Sequence, residues 1–340
     1  MEPQETERRS RTKRKKNGVN IALSPDLDVR RIFLPLYRHG KLPTAYLLAF
    51  RGGSYTAGRN RLTKLYHETA GENAHLIHRI SPNWRYINPL YRDELYDLGE
   101  KGEDLLRQAG LIGEYQNPLQ QKARMREMVN LPHTVMVSTT TASIELAVQK
   151  HATHRFFSWD QVLEHMQPEH RDNNELPFAM QANIEHRFDD RLERKSYKLI
   201  PDGVFVLKDN TSAEAVGFAV EAENRKQSGA SNLMHTSFLK TFLGYRSITR
   251  ANAHRPIFGE KTSLMVLVVT RSQRKIEEMK KIIMQATDNK GSALFCFRHI
   301  PVLGSPEAAP KPDQTLFTGA WERAGHPPFY LHTLSDKPHR

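Results

Sequence analysis

Residues 55–71, YTAGRNRLTKLYHETAG, place Leu62, Leu65, Tyr66 and Thr69 at helical spacing on one side, a stripe that must be buried. Asn60, Thr63, Lys64 and His67 fall on the other side, flanked by Arg59 and Arg61, and no acidic residue interrupts them before Glu68. A helix that buries one face and offers amides, hydroxyls and cations on the opposite face is chemically suited to a polyanion.

The surrounding segments tell what kind of module carries this helix. Towards the N-terminus, residues 29–40, VRRIFLPLYRHG, read as a helix with Ile32, Phe33, Leu36 and Tyr37 on one side and Gly40 as its stop. Residues 42–50, LPTAYLLAF, start a second short helix with Thr44 as cap, and Gly52-Gly53 supplies a turn before the third. On the C-terminal side, residues 74–98 read as two strands joined by a connector rich in Arg and aromatics. Residues 98–110, LGEKGEDLLRQAG, return to a helix that ends at Gly110. Three helices, a hairpin and a closing helix make the order of a winged helix-turn-helix module over residues 26–112. In that module the third helix enters the major groove, so Arg59, Asn60, Arg61, Thr63, Lys64 and His67 are expected at base edges or phosphates, with Arg79, Arg85 and Arg92 of the hairpin on the adjacent backbone. The same arginines would also serve as surface charge on a module used for protein contacts.

Charge is distributed accordingly. Of the formal net charge of +12, the first 126 residues contribute +9, with 23 Lys/Arg against 14 Asp/Glu, while the rest holds 27 against 24. Residues 1–25 include RRSRTKRKK and too few apolar groups to fold, which predicts a disordered basic arm. At 340 residues the chain has room for two domains. The lone Cys296 excludes an internal disulfide and fits the reducing cytoplasm. No apolar run approaches the roughly 20 residues that span a bilayer, so no membrane partner is expected. Residues 113–132, with Pro118 and Pro132, read as a linker.

From residue 133 to about 330 helices and strands alternate, which predicts an α/β sheet domain. Residues 133–150 read as a helix and 198–207, KLIPDGVFVL, as a strand with Pro201-Asp202 in mid-course. Residues 215–226, AVGFAVEAENRK, form the next strand, which ends in Glu221-Ala-Glu223. A helix over 233–248, an apolar strand over 263–270 and an amphipathic helix over 273–287 follow. Side chains two apart on a strand share a face, so Asp202, Glu221 and Glu223 could gather in one place. Carboxylates so arranged suit Mg²⁺, held by Asp202 and Glu221, which stabilises charge at a scissile phosphate. This is the logic of the PD-(D/E)xK nucleases, and the strand order with Glu145 on the preceding helix and Lys240 and Tyr245 on the following one supports that fold. Here Glu223 stands where the lysine usually stands. Two readings stay open: Lys240, one turn before Tyr245, supplies the missing cation, or the site has decayed and its carboxylates pair with Arg225 or Lys226.

Several segments in this order resemble the replication-relaxation family of plasmids and integrative elements, over residues 30–325. They are LPT at 42–44, LYDLGEKGEDLLRQAG at 95–110, His133, LIPDGVFVL, FAVEAE at 218–223, LKTFLGY at 239–245, VLVVTRSQRKIEEM at 266–279 and Trp321 in LFTGAWERAG. The resemblance implies an α+β chain: an N-terminal winged helix followed by a restriction-endonuclease-like PD-(D/E)xK domain, acting in replication, mobilisation or transcriptional control of a mobile element. It also implies double-stranded DNA as partner. A homodimer on symmetric operators and a docked relaxase or replication protein are further partner expectations. The alternative is a Mg²⁺-dependent endonuclease using Asp202, Glu221, Glu223 and Lys240. The family more often carries Glu-x-Asp, so Glu223 is a variant. The paired histidines lack the Cys partners or helical spacing of a zinc site, and no phosphate-binding glycine loop is present.

Overall fold

In the computed structural model, residues 21–67, 75–80, 94–113, 131–172, 176–188, 191–212, 214–223, 237–300 and 311–334 are described. Most of the basic arm, most of the linker, Arg85, Arg92, Arg225 and Lys226 lie outside them.

The first helix starts four residues earlier than its apolar spacing suggests. Ser24 caps it by accepting a hydrogen bond from the Leu27 amide, and Asp28 accepts one in return from the Ser24 amide at 2.8 Å. A wide turn over Pro25–Phe33 leads into α1 (Leu34–His39), and Gly40 ends it at φ +81°. Strand β1 (Leu42–Pro43), α2 (Thr44–Arg51) and α3 (Tyr55–His67) follow, and then β2 (Ile77–Arg79), β3 (Leu95–Leu98) and α4 (Glu100–Gln108). The three short strands form an antiparallel sheet in the order β1-β3-β2. Ile32, Phe33, Leu36, Leu47, Leu62, Leu65 and Leu106 close this module's interior.

Helix α5 (Leu131–Val148) opens the second part. Its hydroxyl run could not be buried unpaired, and Ser138, Thr139, Thr140 and Thr141 all donate to backbone carbonyls one turn back. Strand β4 (His154–Ser158), α6 (Trp159–His165) and the short α7 (Pro168–Asp172) come next. Then β5 (Met180–Phe188) and β6 (Arg191–Leu199) pair as a two-stranded ribbon. Strands β7 (Gly203–Asp209) and β8 (Ala215–Ala222), α8 (Phe238–Arg250), α9 (Arg255–Phe258), β9 (Ser263–Thr270), α10 (Gln273–Ala286), β10 (Ser292–His299), α11 (Thr315–Thr318) and β11 (Glu322–Ala324) complete the chain. Six strands form one mixed sheet in the order β11-β10-β9-β8-β7-β4. Strands β8, β9 and β10 run parallel through the crossover helices α8 and α10. The apolar β9 is central, as a strand covered on both faces must be. One face of the sheet carries α5 and Trp321, Phe317 and Leu331, and the other carries α8, α10 and the ribbon. The protein is therefore a mixed α+β fold.

Two expectations are corrected here. Pro201-Asp202 does not lie within a strand: β6 ends at Leu199 and β7 begins at Gly203, because proline removes a ladder donor and ends the pairing. Strand β8 stops at Ala222, one residue short of Glu223. Glu145 lies twelve residues from the start-of-helix His133, about 18 Å along α5, and cannot join the carboxylates near Asp202.

Glu145 instead joins the two parts of the chain. His39 at the end of α1 places Nε2 at 2.7 Å from the Glu145 carboxylate and Nδ1 at 2.9 Å from the Thr141 hydroxyl. Arg38 lies between Glu145 and Asp160, 3.2 Å from the latter. The Trp159 indole donates to the Arg38 carbonyl at 2.9 Å and stacks obliquely on Tyr37, while the Tyr46 hydroxyl meets Ser143. Burial pushes the Glu145 carboxyl up, but the hydrogen bond and charge of His39 and the charge of Arg38 outweigh it and hold the group below its usual range. Such a depressed carboxyl stabilises the fold above its unfolded-state pKa and loses that contribution as pH falls through the lower folded value. Glu145→Ala is expected to cost about 3 kcal/mol in urea denaturation, because it strips the buried His39 of its carboxylate partner and leaves Arg38 with Asp160 alone. Glu145→Gln should flatten the loss of stability expected of the wild-type protein as pH falls below about 4.5.

Candidate nucleic-acid interface and carboxylate site

Helix α3 has the two faces its sequence promises. Leu62, Leu65 and Tyr66 are buried, and Arg59, Asn60, Thr63 and Lys64 are exposed along one side, with His67 partly covered at the end. Glycines at φ +72° and +80° make the turn that sets α3 against α2.

Arg61 is not part of that exposed row. Its guanidinium grips the Asp28 carboxylate through Nε at 3.0 Å and a second nitrogen, and it also donates to the Ala22 carbonyl at 2.6 Å. Asp28 is 1% exposed, so Arg61 is the counter-ion of a buried acid and ties α3 to the start of the first helix. Arg79 is also turned inward: its guanidinium lies 4.3 Å from the Tyr66 ring centroid and 5.6 Å from that of Tyr96, with Glu94 at 3.8 Å. Arg85 is outside the described residues.

The second set of residues converges at the start of β7 and the end of β8. Asp202 donates its amide to the Val220 carbonyl at 3.1 Å and accepts from the Ala222 amide at 3.2 Å, which sets it beside Glu221 across the β7–β8 ladder. His133, at the first turn of α5, stands 3.0 Å from the Asp202 carboxylate. Tyr245 on α8 donates to Glu221 at 2.6 Å. Burial first, and then the charges of Glu221 and Asp202, push the Tyr245 hydroxyl well above its ordinary value, so it remains a donor. Tyr197 of β6 also feels Glu221 and donates to the Lys240 carbonyl at 2.8 Å.

Lys240 reaches this site only from its edge. Its ammonium rests 4.8 Å from the Tyr197 ring centroid, where burial and then neighbouring Lys195 lower its proton affinity. Glu223 stands apart from the Asp202–Glu221 pair: its amide bonds to the Val269 carbonyl at 2.8 Å, and its carboxylate acts on Lys275 of α10. Among the described residues, no three His, Cys, Asp or Glu side chains gather closely enough to hold a metal ion.

Sequence reasoning found Asp202 and Glu221 and gave no role to Tyr197 or Lys275. The missed signal was Tyr197, which stands on the inward side of an alternating strand and so had to pack on something. Tyr245→Phe is expected to cost about 1.5–3 kcal/mol of stability by stripping a donor from a charged acceptor. Thermal unfolding of the two proteins side by side checks this; an unchanged midpoint would mean that Glu221 is satisfied without the phenol.

No helix among the described residues is long and apolar enough to cross a membrane. No curated protein and no solved structure matches the chain. Helices α1 to α4, the interface at Glu145 and the Asp202–Glu221 pair lie within or at the edge of residues 35–260, the span that matches the family model described as replication-relaxation. That span is more than half of the sequence, and the protein belongs to the replication-relaxation family.

Proposed function

We propose that this is a duplex-DNA-binding protein of a plasmid or other mobile element that acts in replication, mobilisation or transcriptional control. In this reading the N-terminal module is a winged helix, and the second part is a restriction-endonuclease-like domain whose main role is not cleavage. The observation that carries the reading is the exposed row Arg59, Asn60, Thr63 and Lys64 on α3, in a module ordered helix, strand, helix, helix, strand, strand. Amide and cationic side chains on one helix face are the donors and acceptors that read base edges and phosphates in a major groove. Membership of the replication-relaxation family supports the biological setting.

Lys64→Ala should weaken binding to a labelled duplex and lower the slope of log K against log salt by about 0.9, the loss of one phosphate contact. Arg61→Ala should instead lower stability by about 3 kcal/mol, since it abandons the buried Asp28. Gel shifts across a salt series, paired with denaturation curves, separate the two effects. Unchanged binding by the Lys64 variant would exclude this face as the reader.

A second reading, Mg²⁺-dependent cleavage, is favoured by the position of Asp202 beside Glu221. Two carboxylates are what Mg²⁺ commonly takes from a protein, with water and phosphate as its other ligands, so the pair fits that ion. The ion would stabilise charge at the scissile phosphate. Asp202 and Glu221 would hold it, and His133 and Tyr245 would fix the two carboxylates. Conversion of supercoiled plasmid to nicked or linear forms in Mg²⁺ or Mn²⁺, abolished by Asp202→Ala, supports this reading. Intact plasmid under all conditions removes it.

A further inference from the structure

The β5–β6 ribbon takes no part in the reading above, yet it is where the second part of the protein concentrates its charge. Residues 127–340 carry 27 Lys/Arg against 24 Asp/Glu, nearly neutral for their size. The two strands of the ribbon carry five Lys/Arg, namely Arg187, Arg191, Arg194, Lys195 and Lys198, against Glu185 and Glu193. The surplus of three on the two strands equals the surplus of the whole region, and Asp189 and Asp190 between the strands lower that of the hairpin as a whole to one.

The ribbon is also built to keep one face open. Met180, Ala182, Ile184 and Leu199 are buried against α8, where Gly244 lets it approach: a Cβ there would meet the Tyr197 hydroxyl and come within 2.9 Å of Leu199. The Asn183 backbone is pinned to Ser247 of α8 by bonds of 3.1 and 2.7 Å. By alternation, Gln181, Asn183, Glu185, Arg187, Arg194, Ser196 and Lys198 face outward, and all are exposed. Gln181 donates to Ser196 at 2.7 Å and Ser196 to Asn183 at 2.6 Å, a row that holds the amides in place. Glu185, the one acid on this face, is already paired with Arg194 at 2.6 Å. Nine paired residues give a ribbon about 30 Å long, and a two-stranded ribbon is one of the two elements that a major groove admits.

We infer that the β5–β6 ribbon is a second DNA-contacting element, entering a major groove with its outward face. Arg187, Arg194 and Lys198 meet phosphates, and Gln181 and Asn183 lie at base edges. Charge complementarity selects duplex nucleic acid as the occupant, because a cationic face with polar amides and a single, already paired acid matches a polyanion. The inference rests on the DNA-binding reading and adds to it a second point of attachment on the other part of the protein.

The test uses the full chain and a fluorescently labelled duplex of mixed sequence, with anisotropy titrations across a salt series. Arg194→Gln/Lys198→Gln should lower affinity several-fold and reduce the salt slope by about 1–2, at an unchanged thermal midpoint. Bound duplex should protect Lys198 from acetylation in the wild-type protein. If Lys64→Ala weakens binding while the ribbon variant leaves affinity and slope unchanged and duplex gives Lys198 of the wild-type protein no protection, the ribbon assignment fails and the α3 reading stands. If the ribbon variant alone weakens binding, the ribbon assignment stands without α3. A wild-type protein that binds no duplex removes both. Unaltered DNA binding with a changed oligomeric state would assign the ribbon to contacts between copies and overturn the proposal.

Discussion

The placement of the N-terminal module against the sheet depends on one buried anion, the Glu145 carboxylate on α5. It accepts from His39 and faces Arg38, both at the end of the helix that supports α3, so the N-terminal module is fixed to the sheet by charge and geometry as well as by apolar contact. A purely apolar interface of this kind would tolerate sliding, since burial is nearly non-directional. Hydrogen bonds from Trp159 to the Arg38 backbone and from Tyr46 to the Lys311 backbone leave one docking arrangement. A buried ion pair adds little net stability over a well-packed apolar replacement, but once built it makes loss of either partner expensive. The interface therefore favours a unique arrangement more than an additional margin of stability.

A second buried acid performs the same service inside the module. Asp28 caps the first helix through the Ser24 amide and receives the guanidinium of Arg61, so α3 is anchored at mid-length by an inward arginine. The residues free to meet a ligand are those on either side of it, Asn60, Thr63 and Lys64, with Arg59 a turn earlier. Rigid attachment of this row reduces the ordering that binding must otherwise supply.

Much of this was legible in residue order. The apolar stripe of α3, the glycine turns, the buried run of β9 and the amphipathic α10 follow directly from periodicity, and each is found where it was expected. Arg61 and Arg79 were not legible, because a helical wheel or strand pattern reports that a side chain can be exposed, while an acid or aromatic partner remote in sequence decides whether it is. The role of Glu145 was hidden for the same reason: its partners His39 and Arg38 are more than one hundred residues away. The β5–β6 ribbon was hidden by its own chemistry. Its inward positions include His186, Glu193 and Lys195, whose long or polar side chains blur the alternation that identifies a half-buried strand.

The electrostatics of the second part constrain how its two features can work together. Asp202 accepts from the Ala222 amide and lies beside His133, and Glu221 accepts from Tyr245, donors that stabilise their anionic forms. The ribbon shares Tyr197 with that site and carries cations on its opposite face. A duplex drawn to the cations would therefore be repelled wherever a phosphate approached the carboxylates, by about 1–4 kcal/mol per pair of charges at contact distance near a protein surface. A divalent cation between phosphate and carboxylates converts that repulsion into attraction. On the proposed reading, without such an ion the carboxylates would act as a spacer that keeps the backbone on the ribbon and away from the ends of β7 and β8, and the same two acids would separate gripping DNA from bringing it into the site.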